Sequence, residues 1–109
     1  NVARSDHRLV VITSTHMGSI SDITSPGSLY YRSSKAALNA AAKVLSVELA
    51  QRKVGVLIVH PGAVKTRMGG PESRITAEQS VADMRRLVAD FTPEDSGRFL
   101  NHDGTELPW

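Results

Sequence analysis

The chain has 109 residues, 40% apolar and 22% charged, enough for one domain with a modest core and unlike the composition of disordered or low-complexity sequences. Thirteen Lys and Arg against eleven Asp and Glu leave a formal net charge of +2 with no basic run, so no nucleic-acid partner is expected. Cysteine is absent, which excludes disulfides and thiolate metal sites and fits a cytoplasmic setting, and no apolar stretch is long enough to span a bilayer.

The opening "NVARSDHR" has neither the apolar region of a signal peptide nor an initiator methionine, and it reads as the interior of a longer protein. "RLVVITS", residues 8–14, is a β-branched run without helical periodicity, as expected for a strand buried on both faces. Residues 16–29, rich in Gly, Ser, Asp and Pro, form a loop. From Tyr30 to Arg52 the spacing predicts a helix with an apolar stripe of Ala36, Ala37, Ala40, Ala41, Val44, Leu45 and Leu49. "VGVLIVHPG", residues 54–62, is a second buried strand, stopped by Pro61 and Gly62. After the loop "KTRMGGPESR", Thr76 or Ser80 caps a helix running to about Asp90, with Val81, Met84, Leu87 and Val88 on one face. A last strand from Arg98 to Asn101 leads into the turn "HDGT" and the tail "ELPW".

Alternation of strand and helix is the rhythm of a parallel sheet with crossover helices, so the fold class is α/β. Such sheets bind ligands beyond the carboxyl ends of their strands, which here are "TSTHMGS" and "HPGAVKT". The helix beginning "YYRSSKAALN" follows the first of these. Its Tyr31 and Lys35 are four residues apart and share a helix face. A free phenol titrates near ~10 and is a poor proton-transfer group at neutral pH, but an adjacent ammonium favours the phenolate. The pair can then act as a general acid or base on a carbonyl or alcohol oxygen, which a hydroxyl on the preceding loop would also hold. The alternative is that Tyr31 packs its ring, Lys35 extends to solvent and neither reacts. His7, His16, His60 and His102 lack metal-ligand spacing and read as structural or exposed, and no metal is expected.

The order strand, "TSTHMGS", "YRSSKAALN", strand, "HPGAVKT" resembles the short-chain dehydrogenase/reductase family, whose marks are S-S-x-x-G, Y-x-x-x-K and P-G-x-x-x-T. The stretches "MGSI", "YRSSKAALNAA", "HPGAVKTRMGG", "GRF" and "DGTELPW" resemble most closely its C-factor and sniffer-like carbonyl reductase branch. The resemblance covers nearly the whole chain and implies the C-terminal half of a doubly wound, Rossmann-type domain using NADP or NAD. It implies Tyr31 as the proton donor and Lys35 as the group that binds the nicotinamide ribose and lowers the phenol's pKa. Pro61 and Gly62 would turn beneath the nicotinamide, and Val64 and Thr66 would meet its carboxamide. Aligned on Gly18, Thr15 takes the place of the family's catalytic serine, with Ser14 second and Ser19 a further candidate.

Three parts of the family's pattern are absent from the 109 residues. They are the glycine-rich turn that cradles the pyrophosphate, the residue that reads the ribose 2′ position, and the catalytic asparagine. The expected activity is reduction of a small-molecule carbonyl, or oxidation of an alcohol. The alternative is a non-catalytic signalling or interaction protein of the C-factor kind that keeps the fold. The resemblance also implies a homodimer or homotetramer through the Tyr30 to Arg52 helix.

Overall fold

The computed structural model describes residues 8–62 and 75–109. Three strands, β1 (Leu9–Thr13), β2 (Gly55–His60) and β3 (Phe99–Asn101), form a parallel sheet in that spatial order. Helix α1 (Leu29–Ala50) connects β1 to β2, and α2 (Ala77–Ala89) lies between β2 and β3 in sequence. β2 pairs along its length with β1, from Leu9 opposite Gly55 to Thr13 opposite Val59, and Ile58 to His60 pair with Phe99 to Asn101.

The alternation of β2 sorts its side chains onto two faces. Val56 and Ile58 join Ala42 of α1 and Phe99 on one side, flanked by Val10, Ile12, Leu45 and Leu49. Leu57 and Val59 join Leu100 on the other, against Met84 and Leu87 of α2 and against Phe91. The helices therefore cover opposite faces, the three-layer α/β arrangement expected from the sequence. β2 is buried on both faces, as the sequence predicts. β1 departs from that expectation: it borders the sheet among the described residues, and Val11 is 41% exposed.

α1 departs in a second way. Its buried residues are Asn39, Ala42 and Ser46, while Ala37, Ala40, Ala41 and Val44 of the anticipated stripe face outward. The inward face is small and polar because the chain approaches it closely: a Cβ on Gly97 would lie 2.7 Å from the Ser46 hydroxyl. α2 starts as one of the two proposed caps requires, with the Thr76 hydroxyl accepting from the Gln79 N–H at 3.0 Å. Ser80, the other candidate, lies inside the helix.

Candidate active site

The carboxyl edge of the sheet is assembled from the ends of all three strands. Beyond Thr13, Ser14 prolongs the ladder by donating its N–H to the Val59 carbonyl at 2.8 Å. Alternation puts Ser14 on the α1 side with Val10 and Ile12, and its buried hydroxyl donates to Asn39 Oδ1 at 2.6 Å. This is a strand-to-helix tie. Thr15 begins a 3-10 turn, His16–Gly18, which replaces part of the expected loop; its hydroxyl accepts from the Met17 N–H at 3.3 Å.

The turn rests directly on α1. A Cβ on Gly18 would fall 2.7 Å from Asn39 Nδ2 and 3.0 Å from the Lys35 backbone, so only glycine lets the two segments meet. Lys35 stands at this contact and Tyr31 one helical turn further toward the helix start, with Lys35 Nζ 5.7 Å from the centroid of the Tyr31 ring. The ammonium lies over the ring in a cation-π arrangement. Neither the Tyr31 hydroxyl nor the Lys35 ammonium has a hydrogen-bond partner among the described residues, and Tyr31 is 47% exposed while Tyr30 is 88% exposed. Thr15 makes no hydrogen bond to either. Ser19 is fully buried and its hydroxyl is unpaired, so it lies inside the loop rather than at its surface.

Pro61 and Gly62 directly follow the last residue of β2. Gly62 has φ +89°, in the region that favours glycine, and a Cβ there would strike Ile75 at 2.6 Å and the His102 ring at 2.9 Å. The Pro61 carbonyl accepts from the buried Ser80 hydroxyl at 2.7 Å. Val64 and Thr66 lie outside the described residues.

Of the histidines read as structural or exposed, His7 lies outside the described residues, and His16, His60 and His102 gather here. His16 Nδ1 and His60 Nε2 are 3.4 Å apart, with their rings edge to face. Burial, then the nearby His16 and His102, lower the His60 pKa from 6.5 to about 4, and its buried Nδ1 is unpaired. His102 Nδ1 meets Asp83 Oδ2 at 2.5 Å, and Gln79 donates to the other carboxylate oxygen at 2.7 Å. These bonds, that of His102 first, hold the Asp83 carboxyl below its usual range. Asn39 and Asp83 escaped the sequence reading, which took His102 as structural or exposed; the one available signal was a polar Asn39 four residues after Lys35 on the same helix face. Among the described residues, no group of three or more acidic or histidine side chains is arranged to hold a metal, and no helix is long and apolar enough to cross a membrane.

Comparison with known proteins agrees with this architecture. C-signal of Myxococcus xanthus is 42% identical over 102 residues, covering 94% of this chain and 61% of that protein. Among solved structures, the carbonyl reductase Sniffer of D. melanogaster superimposes with a TM-score of 0.88 at 38% identity, covering 93% of this chain and 41% of that one. The NADPH-bound carbonyl reductase from chicken fatty liver gives 0.84 at 36% identity, with 93% and 42% covered. The chain thus spans about half the length of such relatives. Residues 2–76 match the short chain dehydrogenase family, and together with the parallel sheet this establishes that the chain belongs to it.

Proposed function

We propose that these residues form the proton-transfer part of the active site of an NAD(P)-dependent carbonyl reductase, within the C-terminal part of a longer short-chain dehydrogenase domain. The observation that carries the reading is the Tyr31–Lys35 pair, free of other partners and placed at the sheet's carboxyl edge beside the Thr15 turn. The donor set suits a nicotinamide dinucleotide: Lys35 offers an ammonium to ribose hydroxyls, and Pro61–Gly62 offers backbone at the end of the neighbouring strand, with Gly62 in the glycine-favouring region. NADP is favoured by the NADPH-bound chicken relative. The bound dinucleotide supplies the hydride.

The chain's own residues handle the oxygen and the proton. The Tyr31 phenol donates its proton to the carbonyl oxygen as charge develops there, and the nearby Lys35 ammonium stabilises the phenolate left behind. Thr15 accepts from the Met17 N–H through a lone pair, which leaves its own O–H to donate to the same substrate oxygen. Ser14 has committed its proton to Asn39. It therefore fits a supporting role better than a catalytic one.

Replacing Tyr31 with phenylalanine in the natural full-length protein tests the reading. Dinucleotide affinity and fold should persist while carbonyl reduction falls by about 10²-fold or more, and Tyr30→Phe should be near wild type. Near wild-type turnover in Tyr31→Phe refutes the assignment. A natural protein that binds neither NADPH nor NADH would favour the non-catalytic alternative suggested by the likeness to C-signal.

A further inference from the structure

Buried Asp83 and half-buried His102 form a polar pair that proton transfer at Tyr31 does not use. Burying a carboxylate is costly unless its lone pairs are satisfied, and two apolar side chains would fill the same space without that cost. Here both oxygens are occupied, one by Gln79 and one by His102, so the imidazole directs Nδ1 at the carboxylate and its opposite edge is turned away from Asp83. That opposite edge lies against Gly62: a Cβ added there would come within 2.9 Å of His102 Cδ2 and 3.2 Å of Nε2.

The same helix face makes a second contact with this segment. Ser80, three residues before Asp83, donates its hydroxyl to the Pro61 carbonyl at 2.7 Å. α2 thus holds Pro61 directly through Ser80 and Gly62 indirectly through Asp83 and His102. Gly62 needs such support, since glycine at φ +89° has the widest choice of alternative conformations. We infer that His102, oriented by Asp83, is a positioning residue that fixes the Pro61–Gly62 segment at the carboxyl edge and so sets the surface offered to the dinucleotide. The ligand half of this statement rests on the cofactor reading above; the clamp on the segment does not.

The test uses the natural full-length protein and its His102→Ala and His102→Asn variants. Asparagine retains a donor placed like Nδ1 for Asp83. Three measurements are made: the NMR position and linewidth of the Gly62 amide without dinucleotide, the Kd of NADPH by fluorescence, and KM and kcat for dinucleotide and carbonyl. His102→Ala should shift or broaden the Gly62 signal, raise the Kd and the dinucleotide KM about tenfold, and leave kcat at saturation within about threefold, with His102→Asn recovering part of the loss. An unchanged Gly62 signal overturns the clamp. So does an equal loss in both variants that follows only their melting temperatures, because that is the behaviour of plain packing. If the wild type itself binds no dinucleotide, the cofactor reading fails, and the Gly62 signal still decides the clamp.

Discussion

Acid should destabilise this protein through His60, and the size of the effect follows from where the ring sits. His60 ends β2 partly buried, beside His16, and its pKa falls from 6.5 to about 4. A lowered histidine pKa means that the folded state resists the proton that the unfolded chain accepts. The stability this represents is fully present above pH 6.5, declines as the pH falls below that value, and reaches its full loss near pH 4. At about 1.4 kcal/mol per pH unit, the span between pH 7.5 and pH 5 corresponds to about 2 kcal/mol if the shift is taken whole. Solvent still reaches part of the ring and screens the effect, so roughly 1 kcal/mol is the better expectation. His60→Gln removes the titration while keeping an amide nitrogen close to the position of Nε2, which faces His16. Denaturant unfolding of the full-length wild type and variant at both pH values provides the assay. The wild type should lose roughly 1 kcal/mol more than the variant on acidification, since the other titrating groups are common to both. Equal losses would refute the argument that burial of His60 couples folding to pH.

Thr15→Val should lower carbonyl turnover strongly with little effect on stability, while Thr15→Ser should be tolerated; harmless valine at Thr15 would remove that hydroxyl from the reaction. Ser14→Ala should instead cost about 1–3 kcal/mol in unfolding free energy, because Asn39 Oδ1 would be left buried without its donor; loss of activity without loss of stability would reverse the roles of Ser14 and Thr15. Gly18→Ala should destabilise by about 1–3 kcal/mol, since its Cβ would press on both Asn39 and the Lys35 backbone, and unchanged thermal unfolding would contradict that packing. The outward alanines of α1 leave a smooth surface for a second copy of the helix, so light scattering of the full-length protein should show an oligomer that Ala41→Phe dissociates; a monomer at high concentration would argue against it.

What could be read from the sequence and what could not are separated by the range of the interactions. Tyr31 and Lys35 were visible because an i, i+4 spacing fixes their common face whatever packs around the helix. The continuous apolar run of β2 identified a strand covered on both faces, and Pro61 and Gly62 located its carboxyl end. The inward face of α1 was hidden, because alanine serves equally well against a sheet or against another helix. The choice was made by the sheet, where Gly97 brings the chain against Ser46 and where Asn39 receives the Ser14 hydroxyl. Likewise, His16 and His60 are 44 positions apart and Asp83 and His102 are 19 apart, so no local period could announce either pair. These polar groups share one property that the sequence order does expose: each lies in, or packs against, a segment that follows a strand's carboxyl end. In a parallel sheet all such segments gather at one edge, so an unassigned polar residue just after a strand is already near the site before any partner is known. On that argument His16, His60 and His102 should have been grouped with Thr15 from the start, since each stands at or within three residues of the end of β1, β2 or β3.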